Sequence, residues 1–133
     1  MCDTLNKLKQ LTENLPPIPV LMDYREINDD ITEYHFDTGT SISWNLFRCD
    51  DIGIACTFIP KDTVFEKHHH LKSYEIIIVL SGIVEFTLED STSVFLNKYD
   101  KITIDKNSIH SARACTDTWI IALTVPADEG FPE

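Results

Sequence analysis

Residues 64–88 read VFEKHHHLKSYEIIIVLSGIVEFTL, and the way this stretch is punctuated decides the fold class. Two short runs rich in Ile, Val, Phe and Tyr, 74–80 and 83–88, are separated by Ser81 and Gly82, the turn chemistry that joins neighbouring strands. In the second run Val84, Phe86 and Leu88 alternate with Glu85, Thr87 and Glu89, so one face is dry and the other wet. In the first run both faces are apolar apart from Glu75. Such a strand must be covered on both sides, by the N-terminal segment or by a second subunit.

The same punctuation continues in both directions from Thr40 onward. Strands are predicted near residues 40–48, 52–59, 64–70, 74–80, 83–88, 93–96, 101–104, 109–114 and 119–124, with breaks such as CDD, PKD, EDST and DKNS between them. No convincing helix lies among them, and closing the sheets into a barrel or jelly roll removes exposed edges economically. The expectation is therefore all-β. Ahead of the strands, Leu5, Leu8 and Leu11 lie three apart between Thr4 and Asn14, which predicts a short amphipathic helix ending at Pro16, Pro17 and Pro19. The organisation read from the sequence is a helix and extended arm over 1–39 and one barrel domain over 40–133.

Composition narrows the partners. At 133 residues the chain is long enough for one core and short for two domains. Its formal charge of −11 repels phosphate backbones and anionic lipid surfaces, so neither nucleic acid nor a membrane is an expected partner. The N-terminus lacks the order of a secretory signal, and no apolar run approaches a membrane span, giving a cytoplasmic expectation. Cys2, Cys49, Cys56 and Cys115 are widely spread with no CxxC pair, so reduced thiols are expected. Cys56, inside the apolar run GIACTFI, reads as a packing residue rather than a nucleophile.

Chemistry concentrates around His68, His70, Glu75 and His110. Side chains two apart on a strand share a face, so His68 and His70 can approach one ion together while His69 points away. Glu75 opens the next strand after a four-residue connection, and His110 follows Asp105 and Asn107, whose turn chemistry returns the chain to the same end of the barrel. Three adjacent histidines inside a strand pattern are not a terminal tag. Three solvated histidines near a chance glutamate would leave His110 unexplained.

The spacing His-x-His, four residues, Glu, six residues, Gly, from His68 to Gly82, resembles the first sequence motif of the cupins. The second cupin motif is matched more loosely: its histidine corresponds to His110, while Asp105-x-Asn107 stands where cupins carry Pro-x-Gly, and Ala114 where many carry Asn. The resemblance covers roughly residues 52–125. It implies a small single-domain cupin barrel, a double-stranded β-helix of jelly-roll type, with one divalent transition metal ion held by His68, His70, Glu75 and His110. Three imidazoles and a carboxylate suit Fe(II), Mn(II), Ni(II), Cu(II) or Zn(II). An octahedral ion would keep two positions for a substrate or dioxygen, whereas a tetrahedral zinc would be filled and structural.

Two functions follow as expectations. One is a metal-dependent enzyme acting on a small organic molecule, of oxygenase, isomerase or decarboxylase type and dioxygenase-like first among these. The other is a non-catalytic binding or sensor module. No catalytic base can be named: Tyr74 has the opposite strand parity to Glu75 and points away. Glu66 shares the parity of His68 and reads either as an interior partner or, more simply, as an exposed strand residue. Trp44, Phe58, Phe86 and Trp119 read as core, and His35, ahead of the first expected strand, as surface. Ile76, Ile78 and Leu80 form an apolar stripe opposite Glu75 that predicts a homodimer.

Overall fold

A computed structural model describes residues 31–127; the helix expected between Thr4 and Asn14 lies outside them. Ten strands run in chain order: β1 (Ile31–Phe36), β2 (Gly39–Arg48), β3 (Gly53–Ile59), β4 (Val64–His68), β5 (Tyr74–Ser81), β6 (Val84–Thr87), β7 (Ser93–Leu96), β8 (Lys101–Ile104), β9 (His110–Ala114) and β10 (Thr118–Val125). They form a six-stranded sheet, β1-β2-β3-β10-β5-β8, and a four-stranded sheet, β4-β9-β6-β7. Every pairing is antiparallel. From β3 onward the chain crosses repeatedly between the sheets, so the two inner faces close on one another as in a jelly roll. No helix occurs among the described residues, and none there is long and apolar enough to cross a membrane.

Nine of the strands stand where the sequence put them, within a residue or two. The first does not: residues 31–36, read as part of an arm, pair with β2 through a two-residue turn at Asp37 and Thr38. His35 therefore lies on a strand rather than ahead of one, although its side chain is exposed as expected. β4 also ends earlier than expected, at His68, leaving His69 and His70 in the connection to β5.

The closed end of the barrel is filled by Ile77, Val79, Val84, Phe86, Leu96, Ile104, Ala114 and Ile120 from both sheets. Alternation along β5 explains the choice: Ile77 and Val79 point in with Glu75, and Ile76, Ile78 and Leu80 point out and stay half-exposed. A second cluster, Ile42, Trp44, Cys56, Phe58 and Trp119, lies on the opposite face of the larger sheet. Trp119 stacks on Trp44 with ring centroids 5.8 Å apart and meets Phe58 at 4.9 Å. The four aromatics read as core are all buried, three of them in this outer cluster and Phe86 in the barrel. Cys56 is buried among them, and burial pushes its thiol up to about 12, so it packs as a hydrophobe.

Gly82 turns the chain from β5 into β6 with a φ of +90°, a conformation open chiefly to glycine. A Cβ there would collide with the Asp117 carbonyl oxygen, so the close approach of backbone requires hydrogen at this position as well.

Candidate metal centre

His68, His70, Glu75 and His110 converge between the two sheets at the open end of the barrel. One nitrogen or oxygen from each lies within 4.8 Å of all the others. β5 supplies Glu75 from the larger sheet, while His68 at the end of β4 and His110 at the start of β9 face each other across a strand pair in the smaller one. Their rings are 4.2 Å apart between centroids, and His70 stands 5.6 Å from His68 and 6.0 Å from His110.

Local backbone irregularity aims these side chains. Between Phe65 and His68 the β4–β9 register slips, so Glu66 and Lys67 together oppose Ser111. This bulge turns both Glu66 and Lys67 outward and lets Phe65 and His68 share the inner face. Glu66 is thus an exposed residue, not an interior partner. His70 is fixed beyond the strand by a hydrogen bond from the backbone N–H of Asn107 to its carbonyl oxygen, at 2.6 Å. Asn107 adopts a φ of +63° in the turn closed by the Ser108 N–H donating to the Asp105 carbonyl, and that turn delivers His110. Asparagine tolerates this left-handed conformation nearly as well as glycine, which accounts for Asn107 standing where the cupin motif carries Gly. His69 is half-buried and joins neither the cluster nor the cavity lining. Tyr74 is exposed, pointing away from the site as its parity required.

Hydrogen bonds select the tautomers a metal ligand needs. The Nδ1–H of His68 donates to the Glu66 carbonyl at 2.6 Å and that of His110 to the Ser108 carbonyl at 2.9 Å, leaving Nε2 as the lone-pair nitrogen of each ring. His110 Nε2 is buried with no hydrogen-bond partner, and it stands 3.3 Å from Glu75 Oε1; His70 Nε2 stands 3.3 Å from Oε2. A buried nitrogen lone pair facing a carboxylate is costly unless a cation or proton lies between them. The donor set therefore fits a divalent transition metal ion and could hold one.

The electrostatics agree with that fit. Burial alone would raise the Glu75 carboxyl, but with a proton lying between it and the Nε2 of His110 and His70 in the metal-free site, these two rings outweigh burial and hold it down at about 2. Burial pushes His68 down to about 4, against the opposing pull of the Glu66 carbonyl, and the adjacent His110 lowers it further. At neutral pH the site thus presents an ionised carboxylate and a neutral imidazole, the forms that ligate a metal.

A cavity of about 120 Å³ extends from the cluster into the barrel, room for a small organic molecule rather than a single water. Its apolar wall includes Phe65, Ile77, Phe86 and Ala112, and its polar wall Ser43, Asn45, Arg48, Thr57 and Thr124. Tyr34 of β1 also lines it and packs edge-on against Phe65 at 6.3 Å. The sequence reading assigned no role to Tyr34, Asn45, Arg48 or Thr124. A cavity wall assembled from eight strands leaves no spacing signal, and three of the strand pairings are irregular.

No family model matches the chain, and no curated protein matches it either. Solved structures do. The KdgF protein of a Halomonas species is 23% identical, with a TM-score of 0.66 over 77% of this chain and 94% of that one. An RmlC-like cupin from Shewanella frigidimarina is 17% identical, with a TM-score of 0.66 over 76% of this chain and 88% of the other. A protein described as a predicted oxalate decarboxylase, from Thermotoga maritima, is 19% identical, with a TM-score of 0.63 over 74% and 96%. The chain has the cupin fold, as the motif from His68 to Gly82 implied.

Proposed function

We propose that this protein is a metal-dependent enzyme acting on a small organic molecule, with His68, His70, Glu75 and His110 as the ligands of one divalent transition metal ion. One observation carries this reading: three imidazole nitrogens and a carboxylate oxygen meet within 4.8 Å of one another at the head of a cavity large enough for a substrate. One neighbour of the same fold is described as a predicted oxalate decarboxylase, which supports small-molecule chemistry without selecting among oxygenase, isomerase and decarboxylase types. A bound ion would supply Lewis-acid polarisation of substrate oxygens and, if redox-active, a means of engaging dioxygen.

The chain's own groups would do the rest. Carbonyls of Glu66 and Ser108 accept from Nδ1–H of two imidazoles and so aim the Nε2 of each at the site. Glu75 stays ionised and lowers the net charge of the loaded site. Phe65, Phe86 and Ile77 exclude water from one side of the cavity, strengthening every polar contact on the other.

The test has two stages. Metal analysis of the purified chain is expected to give about one transition metal ion per chain, and Glu75→Gln to lower that occupancy. The loaded protein is then screened for oxygen consumption and for turnover of small organic acids and carbonyl compounds, with His110→Ala as the control that should abolish any rate. Full activity in His110→Ala would refute a metal-dependent reaction.

A further inference from the structure

Arg48 is the one lysine or arginine among the described residues on the cavity wall, and a backbone irregularity puts it there. Along β2, Asn45 pairs with Ala55 of β3, but the register then slips, so Phe47 pairs with Ile54 and Arg48 with Gly53. Strict alternation from Asn45 would turn Phe47 inward and Arg48 outward. The extra residue reverses this: Asn45 and Arg48 both line the cavity, and Phe47 is left 53% exposed. Arg48 is itself exposed, so it lines the cavity at its mouth, where a ligand enters from solvent.

The position is specific. Arg48 lies opposite Gly53, Gly53 opposite Thr124, and Thr124 opposite Glu75, so the arginine and the candidate metal ligand end the same row across four strands. At about 4.8 Å per strand their Cα atoms are on the order of 14 Å apart along the sheet. Both line the same cavity, Glu75 at the cluster and Arg48 at the exposed rim. Between them Gly53 lies close to Thr124: a Cβ there would stand 2.9 Å from Thr124 Oγ1. Arg48 makes no ion pair among the described residues, whereas Arg113 lies 3.4 Å from Glu85 and 3.6 Å from Asp62. In a chain of formal charge −11, an arginine at a cavity mouth with no acidic partner among the described residues is available to an anion.

We propose that Arg48 receives the carboxylate of an organic acid whose other polar end sits at the His68, His70, Glu75 and His110 cluster. The guanidinium fork matches a carboxylate through two parallel N–H···O bonds. Thr124 offers a hydroxyl along the way. The ligand class is therefore an acid carrying two oxygen-bearing groups separated by a short carbon chain. This assignment rests on the metal reading above, and its experiment separates the two.

The whole chain is loaded with Co(II), metal content is measured, and the visible absorption is titrated with malonate, succinate and glutarate. Each is matched by its half-amide, which keeps one carboxylate for the ion and replaces the other with an uncharged group. For at least one diacid, binding is expected to be about ten-fold or more tighter than for its half-amide. Arg48→Gln should bring that ratio near one with Co(II) content unchanged, and Arg48→Lys should keep part of it. A ratio near one for all three pairs in the wild type, or a preference that survives in Arg48→Gln, overturns the assignment while leaving the metal reading intact. A chain that takes up no Co(II) overturns both, and metal analysis alone identifies that case.

Discussion

The backbone N–H of Asn107 donates to the carbonyl oxygen of His70 at 2.6 Å, tying the segment that carries one candidate ligand to the turn that delivers another, His110. The bond depends on Asn107 holding a φ of +63°. Asn107→Gly should therefore be nearly neutral, while Asn107→Ala should cost about 1 kcal/mol of stability and weaken metal binding by misplacing His70 and His110. Urea unfolding and metal titration of the two variants check this; equal behaviour of Ala and Gly would show that the turn does not govern the site.

Acid should destabilise the metal-free protein in a defined window. The folded-state pKa of His68, about 4, lies below its ordinary 6.5, so the unfolded chain binds the proton first as pH falls. The stability that neutral His68 contributes is complete above about 6.5 and is lost as pH drops toward 4, an amount on the order of 3 kcal/mol. Glu75, held at about 2, contributes stability above 4.5 that disappears only as pH falls from there toward 2. Urea midpoints of the stripped protein between pH 7.5 and 4.5 should fall, and fall less in His68→Gln. Parallel pH profiles for the two proteins would contradict the assignment of that loss to His68.

Much of this architecture was legible because strand facing has period two. Glu75, Ile77 and Val79 inside, with Ile76, Ile78 and Leu80 outside, follow from alternation alone. β1 was missed because Glu33 and His35 interrupt its apolar residues, although Tyr34 and Phe36 alternate with them and meet Phe65. The two bulges were illegible for a different reason. Register is set by the partner strand, so nothing local to Glu66 and Lys67, or to Leu46, marks where alternation breaks. The convergence of His68 and His70 survived the first bulge because it precedes both residues. Arg48 was hidden by the second.

The outward residues Ile76, Ile78 and Leu80 are partly buried, Leu80 against the outer Trp44 and Trp119 cluster, and the stripe keeps apolar surface in water among the described residues. We propose that a second copy covers it, since apolar surface contributes about 25 cal/mol per Å² when removed from water. Light scattering at micromolar concentration should give a dimer, and Ile78→Lys should yield a monomer with the metal site intact. A monomeric wild type would refute the dimer.

The central claim is that His68, His70, Glu75 and His110 hold one ion and that His69 does not, although it lies between two of them. His68, His70 and His110 point into the cavity, and His69 is excluded from both cavity and cluster. Removing a ligand leaves the site short by one donor, whereas His69→Ala removes only a half-buried imidazole outside it. The direct measurement is bound metal per folded chain in His68→Ala, His69→Ala, His70→Ala and His110→Ala, purified under identical metal supply. The expected result is near wild-type metal in His69→Ala and a marked loss in the other three. An empty site in His69→Ala with a full one in His68→Ala or His70→Ala would contradict the account.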